Sequence, residues 1–350
     1  MKKRSLFVLM AAALLASCSN NDNVEMPVVN ADNEIMLKSK VKIAAGTRTA
    51  YEGNNLSAVN LEALVLGSED ADFSTVHSYG TMLFDGGANA IAYAKPMLDG
   101  VSKFPAVGTS LFLTGFYPGD PQTANGWTLA AKEASLEITG YEDVMYAETV
   151  EDENTSATRD ITADYKTLAF NHQLTWIKIK VTGDADAVAD LITVTGIKLT
   201  HVDEADVNTK VVLDLENKAV SYEAGSETTL ACYAWGSDDV YDPQAVVEEY
   251  DKDTDTPAID GIDEQVYVLA PPATTVTTDG SAINYTFEVS FSENGVDATP
   301  TIVRVALTDT SITDLTGYNV ALHLHFIGRQ IRAFATVTDW VDGPTSSIDI

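Results

Sequence analysis

The sequence predicts an all-β protein built as two β-sandwich domains. Three observations carry that reading. Short runs rich in Val, Ile, Thr, Tyr and Phe recur along the chain between clusters of Gly, Asn, Asp and Pro, the pattern of strands and turns. Apolar residues at helical spacing are scarce, and only Asp184–Leu191 reads as a short helix or turn. The chain has 350 residues, more than one core of ordinary size accommodates.

The first segment is read as a leader and not as fold. Lys2, Lys3 and Arg4 give a basic start, Leu6 to Leu15 an apolar run, and Leu15-Ala16-Ser17-Cys18 closes it. A basic start, a short apolar run and small residues before a cut mark a secretory signal, here residues 1–17. The run falls short of the roughly 20 residues that span a bilayer. A cysteine directly after such a site looks like a bacterial lipobox, in which the thiol of Cys18 is lipidated and becomes the new N-terminus. The alternative is an ordinary secretory signal with a chance cysteine. Residues 18–33 are polar and read as a flexible tether.

An N-terminal domain is expected over 34–164 and a C-terminal one over 165–350. The polar stretch Glu148–Asp164 divides the Val144-Met145-Tyr146 run from the apolar run Leu168–Phe170. The first predicted strand is Ile35–Ile43. Ile35, Leu37, Val41 and Ile43 share one parity with Ser39, while Met36, Lys38, Lys40 and Lys42 share the other. Successive strand residues face opposite sides, so one face suits a core and the other carries three lysines, a guard expected of an edge strand. Gly46-Thr47-Arg48-Thr49 follows directly. Two readings of Arg48 are open: a polar loop residue, or a site open to an arginine-specific protease at a strand end. Removing a core strand leaves unpaired backbone groups and bare apolar pockets, which a strand from another subunit can fill. That interface is head-to-tail and grows a filament.

The remaining predicted strands are residues 61–66, 110–117, 174–181, 194–201, 210–215, 265–270, 283–291, 301–307, 319–326 and 331–340. Phe116, Tyr117 and Pro118 read as a strand end with a core aromatic, and Trp340 as an anchor of the last strand.

Composition narrows function. The chain carries 52 acidic and 21 basic residues, a net charge of −31, and the leader contributes only positive charge to that sum. Such a surface repels nucleic-acid phosphates and anionic head groups. Of the two cysteines, Cys18 is assigned to lipid, so Cys232 has no partner for an intrachain disulfide and reads as buried packing.

Candidate chemistry is thin. His172 shares a parity with Phe170 and Leu174 and reads as a structural histidine. His323 and His325 share one face of a predicted strand, opposite Leu322, Leu324 and Phe326. They read as a partly exposed face, since a structural zinc site needs four ligands. Asp251, Asp253 and Asp255 alternate in an acidic loop, but an EF-hand needs Gly and Glu where Thr256 and Ile262 stand. An irregular calcium site within 249–264 stays open beside a solvated acidic loop. There is no nucleophile elbow, HExxH, P-loop or Rossmann fingerprint. Carboxylate pairs for glycoside hydrolysis stay open because that pairing is spatial. No cofactor, metal or enzymatic activity is expected.

Six segments in order then carry a resemblance: the lipobox at 15–18, VKIAAGTRTAY at 41–51, LFLTGFYP at 111–118, DVMYA at 143–147, FNHQLTWIKIKV at 170–181, and GYNVALHLHF with ATVTDWVDG over 317–343. With these the chain resembles the fimbrillin family, the subunits of type V pili of Bacteroides-like anaerobes. The resemblance implies two β-sandwich domains of transthyretin-like topology and export as a lipoprotein on the outer membrane. It also implies removal of the first strand after an arginine by a trypsin-like protease, and polymerisation with other fimbrial subunits by donor-strand exchange. Carried onto this sequence, Cys18 is the lipidation site, Arg48-Thr49 the cut, and Ile35, Leu37, Val41 and Ile43 the displaced strand. A structural or adhesive fimbrial subunit, with a host or bacterial surface ligand, is therefore expected. Shaft, anchor and tip roles are open. Ile348 and Ile350 belong either to a short donor segment or to the end of the last core strand. The alternative is a monomeric surface lipoprotein that binds glycans on exposed aromatics such as Trp127 or Trp235.

Overall fold

Alternation of apolar and polar residues decides most of the strands. Ser110–Tyr117 buries Leu111, Leu113 and Phe116, and Tyr318–Ile327 buries Val320, Leu322, Leu324 and Phe326. The computed structural model describes residues 37–41, 61–74, 78–84, 92–94, 107–118, 126–153, 167–234, 244–248, 266–308 and 312–339. Up to His172 the strands are β1 (Leu37–Val41), β2 (Leu61–Ser68), β3 (Ser78–Phe84), β4 (Ala92–Ala94), β5 (Ser110–Tyr117), β6 (Thr128–Ala130), β7 (Glu133–Glu137), β8 (Met145–Glu153) and β9 (Thr167–His172). Next come β10 (Thr175–Gly183), helix α1 (Ala185–Ala189), β11 (Thr193–Val202), β12 (Ala205–Asp206), β13 (Lys210–Asp214), β14 (Ala219–Glu223), β15 (Leu230–Ala231) and β16 (Tyr233–Ala234). The described residues end on β17 (Gln244–Ala245), β18 (Val247–Glu248), β19 (Val266–Ala270), β20 (Tyr285–Glu293), β21 (Val296–Asp297), β22 (Thr301–Val305), β23 (Tyr318–Ile327) and β24 (Gln330–Asp339).

The protein is all-β, as the sequence predicts, and each predicted strand run lies on one of these strands. The expected short helix is α1, capped by Asp184, whose carboxylate accepts from the Ala187 N–H at 2.8 Å. No helix among the described residues is long and apolar enough to cross a membrane.

Four sheets form. The first has the order β3-β2-β5-β8-β9-β1-β4 and uses only strands up to His172. The second runs β16-β19-β10-β23-β24, with β18 also on β10; the third joins β12, β11, β20 and β21, with β15 and β17 on β11 and β22 on β20. A fourth, β14-β13-β7-β6, pairs strands from either side of residue 165. Most pairs are antiparallel; β1 with β9, and β10 with β18 and β23, are parallel. The described residues lie within one compact unit, Asp32–Ile350, and most buried apolar side chains make one cluster, while Leu111, Leu113, Met145, Leu168 and Phe170 are buried outside it. Phe291 of β20 meets Phe326 of β23 edge-on at 5.4 Å, bridging the third and second sheets. Phe116 of β5 lies 4.5 Å from Trp127, just before β6.

Local turn chemistry closes the hairpins. Asn294 and Gly295 both take positive φ between the paired Glu293 and Val296, the geometry an Asn-Gly turn supplies. Gly115 answers a different demand. It pairs with Ala147, which pairs with Phe170, so two small residues lie under one large ring. A Cβ on Gly115 would stand 2.7 Å from Phe170 Cζ and 3.3 Å from the Leu64 carbonyl. Phe170 is fully buried. Gly115→Ala is expected to lower stability by about 1–3 kcal/mol through overpacking, read as a lower urea midpoint with an unchanged slope.

Candidate functional site at the first strand

β9 is the foundation of this site. Leu168 and Phe170 are fully buried and Ala169 between them is exposed, so apolar alternation fixes its inner face. β8 pairs with one side of it, through Met145 with His172, Tyr146 with Asn171 and Ala147 with Phe170. β1 runs parallel along the other side, with Lys38 opposite Thr167, Ser39 opposite Leu168, Lys40 opposite Ala169 and Val41 opposite Phe170. The far side of β1 pairs antiparallel with β4, through Leu37 with Ala94, Lys38 with Tyr93 and Ser39 with Ala92. β1 is therefore an interior strand. The edge position expected from its lysines is corrected, because the three-residue β4 covers its outer side.

The end of β9 is pinned by a buried pair. His172 Nδ1 lies 3.0 Å from both carboxylate oxygens of Asp143, and the two side chains are 4% and 6% exposed. A carboxylate only accepts, so the ring nitrogen donates. The Gln173 N–H donates to the Val144 carbonyl at 2.8 Å, and the Thr114 hydroxyl to the Ala147 carbonyl at 2.7 Å. Three of the short segments singled out in the sequence thus meet here, at Gly115, Asp143 and Phe170–His172.

Compared with known proteins, the chain matches the model of the Fimbrillin-like family over residues 47–309. The chain belongs to that family. No curated protein matches it. Among solved structures it is similar to a candidate cell adhesion protein from Parabacteroides distasonis, at 10% identity and TM-score 0.49, over 88% of this chain and 97% of that one. A fimbrial protein from Bacteroides vulgatus gives 13% identity and TM-score 0.48, over 87% of this chain and 99% of that one. The C-terminally truncated tip fimbrial protein Mfa3 from Porphyromonas gingivalis gives 10% and 0.37, over 87% and 100%. Family membership supports a fimbrial subunit or adhesin at the cell surface.

Other positions of this fimbrillin-like chain fall out differently. Cys18, Ile35, Ile43, Arg48, Thr49, Trp235 and the acidic loop 249–264 lie outside the described residues, as do the side chains of Leu37 and Val41. Trp127 is 5% exposed and its indole N–H donates to the Pro118 carbonyl at 2.7 Å. It is a core residue, which corrects its reading as a sugar platform. The face that His323 and His325 share is partly exposed, as expected, through Asn319, Ala321, His325 and Ile327, while His323 itself is fully buried. Thr182 Oγ1 lies 2.7 Å from His323 Nε2 and 2.8 Å from His325 Nδ1. One hydroxyl can donate to one ring and accept from the other, so the two imidazoles share a protein partner. Among the described residues no group of three or more His, Cys, Asp or Glu is placed to hold a metal.

His172 is structural in this setting, and sequence reading missed its partner Asp143. The usable signal was an acid standing directly before the apolar Val144-Met145-Tyr146 run. Cys232 is fully buried, and burial pushes its thiol well above the usual range. Alkylating reagents are expected to leave Cys232 unlabelled in the folded protein at neutral pH and to label it on denaturation, read by peptide mass.

Proposed function

We propose that this protein is a fimbrial subunit exported as a lipoprotein through Cys18, cut after Arg48 by an arginine-specific protease, and assembled by donor-strand exchange. In this reading two sandwich domains, 34–164 and 165–350, have transthyretin-like topology. Lipid on Cys18 holds the precursor on the outer membrane, and Ile35, Leu37, Val41 and Ile43 plug the groove until processing. A surface ligand of host or bacterial origin is the further partner.

The observation that carries the reading is the interior, parallel position of β1 between β9 and β4. A cut between Arg48 and Thr49 severs β1 from every later strand. Only non-covalent pairing then holds it. Its loss opens a slot within the sheet, bordered by backbone groups of β9 and β4 that β1 had paired. Leu168 and Phe170 sit at that border, and each buried apolar side chain stabilises by about 1.5–3 kcal/mol relative to exposure. An open slot is thus costly, and a strand from a second copy relieves it.

Purified full-length chain treated with an arginine-specific protease tests this. A ladder of stable polymers, each unit starting at Thr49, is the expected product. Complete cleavage at Arg48 with the protein still monomeric would sink the reading.

A further inference from the structure

A cleft of about 360 Å³ opens where five segments converge: β8, the end of β9, β14 with the turn before it, and the loops around residues 272–274 and 314–316. It lies apart from β1 in sequence and draws on both halves of the chain. Its volume is at the lower end of the range for ligand pockets, about 300–1,000 Å³.

The walls are braced. The Tyr285 hydroxyl accepts from the Ala273 N–H at 3.1 Å and donates to Thr175 Oγ1 at 3.1 Å; Thr175 Oγ1 donates to the Leu315 carbonyl at 2.8 Å. The Leu315 N–H returns to the Ala273 carbonyl at 3.0 Å. One buried chain of hydrogen bonds thus ties the two loops to each other and to β10 and β20. On the opposite wall the Tyr222 hydroxyl donates to the Gln173 carbonyl. A site held this way loses little freedom when a ligand enters.

The lining decides the ligand. Glu148 presents a carboxylate and Lys218 the one ammonium among the lining residues; Asp314 adds a second carboxylate, whose Oδ1 accepts from the Thr316 N–H and hydroxyl, and Asn171 an amide whose Nδ2 donates to the Ala169 carbonyl. Tyr222 and Pro272 add apolar surface between them. Two carboxylates against one ammonium, on a chain of net charge −31, disfavour phosphates, sulfates and acidic sugars. No metal-holding group of three exists among the described residues. The mixture suits a molecule that offers both donors and acceptors around its rim and C–H faces above and below. We propose that this cleft binds a neutral glycan, about one or two sugar rings in length. The inference is independent of lipidation, processing and strand exchange.

The test is ligand-observed saturation-transfer NMR on the full chain with a panel of neutral probes: hexoses, N-acetylhexosamines, deoxyhexoses and their disaccharides. Sialic acid and glucose 6-phosphate serve as anionic counterparts. A saturable signal from a subset of neutral sugars is expected. Glu148→Ala and Lys218→Ala alter exposed side chains, and each should weaken binding about tenfold while the melting curve stays unchanged. Silence across the neutral panel overturns the proposal. So does binding confined to the anionic probes, or binding that both variants leave intact.

Discussion

Arg48→Ala is expected to abolish polymer formation under arginine-specific proteolysis while leaving the monomer folded. The effect should be all-or-none, because the substitution acts on one covalent link and not on any packed side chain of the described residues. With the link intact, β1 is held at high effective concentration beside β9 and β4, and no second copy competes for the slot. With the link cut, β1 competes on equal terms with any strand offering the same pattern. A synthetic peptide of residues 35–43 added in excess to cleaved wild-type chain should therefore return it to monomers. A scrambled peptide of the same composition should not, since register depends on the alternation and not on content. Size-exclusion chromatography reads both arms. Polymerisation of Arg48→Ala at the wild-type rate, with the chain verified uncut, would refute the role assigned to Arg48.

His172→Ala is expected to destabilise the protein by about 1–3 kcal/mol, the cost typical of leaving a buried acceptor without its donor. The loss comes chiefly from Asp143, which keeps its buried carboxylate but loses the donor 3.0 Å away. The double variant Asp143→Ala/His172→Ala should recover part of that loss, because no buried acceptor is then left without its donor. Urea unfolding of the two variants measures the difference. Equal or greater loss in the double variant would show that packing, and not the stranded carboxylate, sets the cost. Because His172 ends β9, the single variant should also weaken the wall against which β1 pairs.

Much of the fold was legible in the chain because its strands alternate. Ser110–Tyr117 was bounded correctly at both ends, since turn-forming residues flank it. β4, β6 and β12 were not legible, because strands of two or three residues exist only by virtue of their partners. That gap explains the misplacement of β1. Whether a strand is an edge depends on a neighbour, here Ala92–Ala94, that local pattern does not reveal. The half-exposed face of His323 and His325 was legible, but the full burial of His323 within it was not. Period-two alternation tells which residues share its face, while the covering of His323 comes from contacts such as Thr182, 141 positions earlier. His172 was legible as structural, yet its partner lies 29 residues away. The cleft was invisible because five separate segments build it.

The most direct measurement is the intact mass and N-terminal sequence of the protein recovered from surface fibres. The account predicts chains that begin at Thr49 and lack β1. Fibres built of chains that still begin at lipidated Cys18 would contradict it, because β1 would then remain joined to the subunit whose slot it fills.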